Sequence, residues 1–590
     1  MPSALSLPAP LPRDRTRRVA RVGGALVALM LTGFFVFQGA RIAQMPTDKI
    51  TAWNVIIDDG FYYLQVARNI ARGRGSTFDR LNPTNGYQPL WALTLVPIFW
   101  LTNNTHLAVQ LVLLLATALG GAAILLFYAA LLRLAGLATA LIATTLFATN
   151  PYFLQLLQGG LETPVLFVCL ASLTLFWAHR GSTLLLGRRK PALLFGLLMG
   201  LTVLARVDVL LLLLPLGLAI ALWPGASMAP RLSRTLWTAA GAGLVLAPYV
   251  AWNVIAHGAL VPVSGLVKRW VVATYQPTHE LFLRTEQWRG LARTTDLLSW
   301  PHGLHEGQRI SSILPALAYP AAMLLFLFAR LAWRRQRQRP QLMLALGGAM
   351  VVGVACHTAY LYFIYRSCSH WNYHYFFPLA LLWTLLFATA APALIGDLAR
   401  GVDRLLGRFA VFCRAQGILA LVLCLPLIAS CWHLGGKAAR KHANYVHQHP
   451  GASFRLSRFQ AAEVLRRDFP KDPVFGAWWA GTLGYFSDRR VVNLDGVINS
   501  RDYLERYLKT DKVPTYIEEG PITYLVDFFW RDPLAKGFRP SPRAFFWEHD
   551  KEHIIKRLHG KLKQVRRVPF RGGGMFVLKV RKPAKAPFQR

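Results

Sequence analysis

Acidic residues are scarce in this chain: 28 Asp and Glu stand against 66 Lys and Arg, a net charge of +38 over 590 residues. Cysteine is scarce too, with six in all. Cys169, Cys356, Cys424 and Cys431 lie in or beside apolar runs, Cys413 in a basic loop, and none has metal-type spacing. That excludes a disulfide scaffold; a Cys368–Cys431 bridge is the one pairing left open, with free thiols the plainer expectation. There is no repeat of fixed period and no low-complexity tract, which argues against a solenoid and against a transporter built from repeated halves.

What is present is apolar. Hydrophobic residues make up 54% and mean hydropathy is +0.34, against about 45–50% in soluble chains. The excess is gathered into long runs, which imply membrane helices. The basic residues fall in short loops between those runs, as topology control at a membrane requires, so the charge argues against nucleic acid as a partner. Spans are expected at 19–40, 106–132, 137–150, 164–178, 191–205, 209–223, 236–253, 311–332, 341–364, 375–395 and 416–433, with 89–101 as a half-span. The first run is too long for a signal-peptide core and no small-residue cleavage site follows cleanly, so it reads as an uncleaved span behind a basic cytoplasmic segment, 1–18. Stretch 191–223 reads as a hairpin of two short spans tipped by Arg206 and Asp208; one long tilted helix is the alternative and would invert everything downstream.

The fold class expected is therefore a polytopic α-helical membrane protein of about 11 spans with a small C-terminal α/β domain. The divisions are a membrane module at 19–433, a first outer loop at 41–88, and an extracytoplasmic domain at 434–590. Arg133, Arg188, Arg189, Lys190, Arg231 and Arg234, with the arginines of 330–339 and 400–414, fall in the loops assigned to the cytoplasm. The location expected is the bacterial inner membrane. In the C-terminal part, 454–469 and 501–508 read as helices, and 474–478 and 522–526 as buried strands.

The first outer loop carries the chemistry. Asp58 and Asp59 are adjacent carboxylates at the start of a short amphipathic helix, where one suffices as an N-cap. Gln65, Arg68, Asn69 and Arg72 share one face, read as the wet side of an interfacial helix. Further groups expected on the same side are Glu162 at the mouth of a span, Arg206 and Asp208 at the hairpin tip, Lys268, and Arg366, His370 and His374 before the tenth span. A carboxylate beside cations at a membrane surface suits transfer of a sugar from a lipid phosphate: the carboxylate takes the acceptor's proton and the cations hold the departing phosphate. His370–x3–His374 also has metal-ligand spacing, and the Asn493-Leu494-Asp495-Gly496 turn reads as structural or acceptor-positioning rather than catalytic.

Several strings carry a resemblance. They are Asp58-Asp59-Gly60-Phe61-Tyr62-Tyr63, Arg68-Asn69, Gly73, Asn82-Pro83-Thr84-Asn85-Gly86-Tyr87-Gln88-Pro89-Leu90-Trp91, Gly160-Leu161-Glu162-Thr163, Arg206-Val207-Asp208 and Lys268, with Gly476-Ala477-Trp478, Gly484-Tyr485-Phe486 and Val492-Asn493-Leu494-Asp495-Gly496 further on. Together they resemble the bacterial branch of the GT-C glycosyltransferase superfamily, which includes protein O-mannosyltransferases, aminoarabinose transferases of lipid A and mycobacterial arabinofuranosyltransferases. The resemblance implies an inverting transfer from a polyprenyl-phosphate sugar to a hydroxyl of a cell-envelope glycan, lipid or protein, in contact with membrane lipids. It implies Asp58 as base with Asp59 as partner. Tyr62, Asn85, Gln88, Glu162, Arg206, Asp208, Lys268, Arg366 and His370 are the substrate-binding residues expected. Gln88 stands where the aminoarabinose transferases carry Lys, so the phosphate contact falls to Lys268, Arg206 or Arg366. Relatives differ in metal use, which leaves a divalent cation beside Asp58 and Asp59 open. The alternatives are a transporter or flippase of a lipid-linked or anionic substrate, and an assembly or receptor protein.

Overall fold

The protein is seen in a computed structural model, which describes residues 13–223, 227–271, 273–274, 339–360, 377–379, 381–382, 384–385, 450–535, 546–570 and 573–582. Among the described residues four helices are long and apolar enough to cross a membrane: α1 (Arg13–Ala43, apolar from Arg18), α5 (Thr105–Leu134), α8 (Thr163–Leu185) and α11 (Met228–His257). Between them run α2 (Thr47–Ala52), α3 (Asp58–Ala71), α4 (Pro89–Leu101), α6 (Leu137–Thr149), α7 (Pro151–Gln158), α9 (Arg189–Ala205) and α10 (Leu210–Leu222). The expected spans at 137–150 and 209–223 appear as helices of 13 residues, short of the roughly 20 a bilayer needs. The span expected at 341–364 overlaps a helix at Arg339–Ala359. Those at 311–332 and 416–433, and most of 375–395, lie outside the described residues.

Stretch 191–223 breaks at Arg206, whose backbone is extended between α9 and a 3-10 turn at Val207–Val209. Arg234, buried on α11, donates to Leu185 O at the end of α8 and to Trp223 O just past α10, each at 2.7 Å. The end of α10 therefore returns to the level where α9 began, and Arg206 to Asp208 form the tip of a hairpin. Beside it α9 and α11 run in contact, because Gly196 and Gly241 leave the backbones free to close: a Cβ would lie 2.0 Å from Thr238 O and 2.2 Å from Leu193 O respectively.

The described residues between 450 and 582 form a five-stranded sheet, order β2-β1-β3-β5-β4, with its flanking helices. Strands β1 (Val474–Ala477), β2 (Arg490–Asn493) and β3 (Tyr524–Phe529) are parallel; β5 (Gly573–Val580) and β4 (Leu562–Phe570) add antiparallel. The apolar strands are buried on both faces, as parallel strands flanked by helices must be. The helix Pro450–Asp468 packs against the short helix Gly481–Phe486, which follows β1.

This sheet domain sits on α3, and here the sequence reading needs correction. Gln65, Arg68 and Asn69 are not on a wet face: all three are buried. Arg68 donates to Tyr485 O at 2.9 Å and lies 4.8 Å over the Tyr485 ring, while Asn69 donates to Thr77 O and Phe78 O. The opposite face, with Leu64 and Ala67, packs toward α4. Helix α3 is thus a layer between membrane module and sheet domain, its polar face satisfied by protein carbonyls rather than water. The same seam is stitched by Tyr485 Oη donating to Thr105 O at 3.0 Å, by Thr84 Oγ1 donating to Asn499 O at 2.9 Å and by the Arg80–Asp488 pair at 2.7 Å.

Candidate active site

Asp58 and Asp59 open α3, where carboxylates favour the helix dipole. Ile57 N donates to Gly159 O at 3.2 Å, and Gly60 lies so close to Gly159 and Gly160 that a Cβ would sit 2.8 Å from Gly159 O. The start of α3 is thereby fixed to the turn that precedes Glu162. Trp91 Nε1 donates to Gly160 O at 2.9 Å and holds the other side of that turn.

Two polar neighbourhoods form around this start. The first faces the sheet domain. Asp58 accepts from Gly481 N at 3.0 Å, Thr482 N at 3.0 Å and Thr482 Oγ1 at 2.7 Å, with Arg458 Nη1 3.9 Å away. Asp59 Oδ2 lies 3.9 Å from Lys268 Nζ, on a helix at 263–271. Asp495 accepts from Trp479 N at 3.2 Å and Val497 N at 3.1 Å. Tyr62 Oη accepts from Asn493 Nδ2 at 3.1 Å, tying the Asn493–Gly496 turn to α3. Gly496, at φ +86°, approaches Val267 one residue before Lys268. Burial raises the Asp58 carboxyl above its ordinary range despite Arg458 and Thr482. Burial likewise pushes Asp495 up to about 7, against its hydrogen bonds and with the Asp59 and Asp58 charges adding to the rise. Tyr62 is raised well above its usual value by burial and by the neighbouring carboxylates.

The second neighbourhood lies at the hairpin tip. Arg206 forms a two-point pair with Asp208, Nε to Oδ1 at 2.7 Å and Nη2 to Oδ2 at 2.9 Å, and approaches Glu162 Oε1 at 3.7 Å. His357 Nε2 is 3.1 Å from Asp208 Oδ2. Tyr63 Oη donates to Glu162 Oε2 at 2.9 Å, and Gln88 Oε1 accepts from Val207 N at 3.0 Å. Asn85 reaches elsewhere: it donates to Asn253 Oδ1 and accepts from Val263 N, each at 3.0 Å, which fixes the helix carrying Lys268.

The structure therefore brings Asp58, Asp59, Tyr62 and Lys268 together, and gathers Glu162, Arg206, Asp208 and Gln88 around Tyr63. Arg366 and His370, with the His370–His374 pair, lie outside the described residues. Sequence reasoning missed Arg458, Thr482, Trp479 and His357. Nothing local marks them; each reaches the site only through the tertiary fold. Among the described residues no group of three or more His, Cys, Asp or Glu side chains is arranged to hold a metal ion. Three N–H and O–H donors already take up most of the accepting capacity of Asp58. Cys169 and Cys356 are free thiols, and the Cys368–Cys431 pairing lies outside the described residues.

Residues 444–564 match a family described as a domain of unknown function, DUF8728. No curated protein sequence matches the chain. Among solved structures, the chain is similar to the Archaeoglobus fulgidus oligosaccharyltransferase in the apo form, at 14% identity and a TM-score of 0.47, over 85% of this chain and 69% of that one. It is similar to the same enzyme in complex with Zn and sulfate, at 13% identity and a TM-score of 0.44, over 84% and 67%. It is also similar to ArnT from Cupriavidus metallidurans bound to undecaprenyl phosphate, at 12% identity and a TM-score of 0.47, over 90% and 96%.

Proposed function

We propose that this chain is an inverting glycosyltransferase that moves a sugar from a polyprenyl-phosphate donor to a hydroxyl acceptor at the outer face of the membrane. The observation that carries the reading is the Asp59–Lys268 contact of 3.9 Å, with both side chains partly exposed, at the seam between membrane helices and sheet domain. A base and a phosphate-binding cation are the two groups the reaction needs at one site, with the reacting sugar carbon between them.

The acceptor O–H gives its proton to a carboxylate of the pair as its oxygen attacks C1 of the donor sugar. The new O–C1 bond forms on the face opposite the leaving group, so the configuration inverts. The C1–O bond to phosphate breaks and its electron pair leaves on the polyprenyl phosphate. Lys268 holds that growing negative charge. Arg206, the other cation proposed for this role, is turned to Asp208 and Glu162, so its part is to fix the hairpin tip and, through Val207 and Gln88, the entry to α4. The starts of α9 and α11, with Arg189, Lys190 and Arg231, lie at the end of the helices away from the sheet domain; positive loops at that end support an extracytoplasmic sheet domain.

The test is a mass-spectrometric comparison of lipid-linked and surface glycans, and of glycosylated proteins, between cells with and without the protein. A residue mass missing only from cells without it identifies sugar and acceptor together. Identical profiles would overturn the reading.

A further inference from the structure

We propose that the two adjacent carboxylates divide their work: Asp58 is a positioning residue that docks the sheet domain on α3, and Asp59 is the carboxylate that meets substrate. The Asp59 half rests on the transferase reading; the Asp58 half stands on geometry alone. Neighbours on a helix point about 100° apart, and the two carboxylates take different partners. Asp58 faces the sheet domain, where its two oxygens receive Gly481 N, Thr482 N and Thr482 Oγ1 at 2.7–3.0 Å. Behind it Arg458 is buried, packed 4.0 Å from the Phe454 ring centre and 5.0 Å from that of Trp479. Gly481 is pressed against the Asp58 backbone: an added Cβ would lie 2.1 Å from Asp58 O. The Asp58 side chain is 10% exposed.

Asp59 turns toward the 263–271 helix, and its side chain is 39% exposed. A general base needs a lone pair that is not already committed and a path for the incoming hydroxyl. Asp59 offers both, whereas Asp58 is buried and already accepts from three donors of the sheet domain. The proton acceptor is thus positioned by its neighbour: the Asp58 clasp sets where α3 begins and therefore where Asp59 points.

The experiment uses the full chain in detergent micelles and in cells lacking the native gene. Asp58→Asn, Thr482→Val, the double variant and Asp59→Asn are compared by thermal unfolding, by limited proteolysis between the two modules, and by the glycan residue that depends on the protein. Asp58→Asn and Thr482→Val should each lower the unfolding midpoint by a few degrees and expose the seam to protease. The double variant should lose clearly less than the sum of the two single losses, because the two side chains share the Thr482 Oγ1–Asp58 Oδ1 bond. Asp59→Asn should leave the midpoint unchanged and reduce transfer roughly a hundredfold or more. Thr482→Val, which keeps both carboxylates, should transfer more weakly than wild type. Additive losses in the double variant, an unchanged midpoint in Asp58→Asn, or transfer that survives Asp59→Asn and vanishes in Asp58→Asn would each overturn the division. If the wild type transfers nothing, the transferase reading fails and the thermal cycle still decides whether Asp58 docks the domain.

Discussion

Gly86 offers the sharpest structural perturbation. It lies where the Asn82–Trp91 stretch passes beneath the sheet domain, and a Cβ there would sit 2.2 Å from Val497 O and 3.2 Å from Ile498 Cα. The first distance is roughly 1 Å short of an ordinary C···O contact, and both opposing atoms are backbone. They have little room to give. Val497 N is bonded to Asp495 Oδ1 at 3.1 Å, and two residues on, Asn499 O receives Thr84 Oγ1 at 2.9 Å. Gly86→Ala must therefore lift the 495–499 turn off the first loop. Overpacking of this kind costs about 1–3 kcal/mol, and weakening those two bonds adds about 1 kcal/mol. The total of about 2–4 kcal/mol is a large part of the stability of any domain. The assay is thermal unfolding of the purified chain with the glycan readout in cells. Gly243→Ala on α11 is the control, since nothing lies within 4 Å of its added Cβ and alanine gains roughly 0.5–1 kcal/mol over glycine within a helix. If Gly86→Ala unfolds and transfers like Gly243→Ala, the seam does not sit where the geometry puts it.

Four other outcomes follow from the same contacts. Lys268→Gln should leave the unfolding midpoint intact yet cut transfer by roughly a hundredfold, the scale of losing one donor to developing charge; an equal fall in midpoint would recast Lys268 as structural. Arg206→Met leaves Glu162 and Asp208 without their buried cation and should cost about 3–5 kcal/mol, read by thermal unfolding, with Asp208→Asn restoring part of the loss. Arg68→Leu strands Tyr485 O and Gln65 and should cost about 1.5–3 kcal/mol on the same scale. For Asp495, the folded carboxyl holds its proton up to about 7, whereas an unfolded one releases it near 3.9. Between those values the folded state binds more protons, so stability falls as pH rises from about 4 to about 7 and is level above, an effect of up to ~4 kcal/mol. Asp495→Asn should reduce that slope, leaving the contributions of Asp58, Asp79 and Glu162, which burial raises in the same sense. A rise in midpoint across this window would contradict the assignment.

Much of this architecture could be read in the residues themselves. Long apolar runs marked α1, α5, α8 and α11, and the break at Arg206 was visible because Arg206 and Asp208 are only two apart and pair locally. The carboxylate pair stood out as more than one N-cap requires. What could not be read was what covers α3. Its polar stripe at Gln65, Arg68 and Asn69 has the pattern of a wet helix face, and only the arrival of Tyr485, 417 residues beyond Arg68, makes it a buried one. Amphipathic periodicity reports that two faces differ; it does not report whether water or protein meets the polar one. The same gap hid Arg458, an ordinary basic position on an amphipathic helix, and His357, a lone histidine in an apolar run. Position in a motif likewise gives no sign of the donors that reach Asp58 from Gly481 and Thr482, 423 and 424 residues on.

The proposed transfer stands on an exposed carboxylate at this seam taking a proton while Lys268 steadies a departing lipid phosphate. Its most direct measurement is the glycan profile of cells carrying wild type, Asp59→Asn or no protein, each with the protein level checked. One sugar residue should be present with wild type and missing from both other strains. A profile that stays complete with Asp59→Asn, at normal protein level, would contradict it.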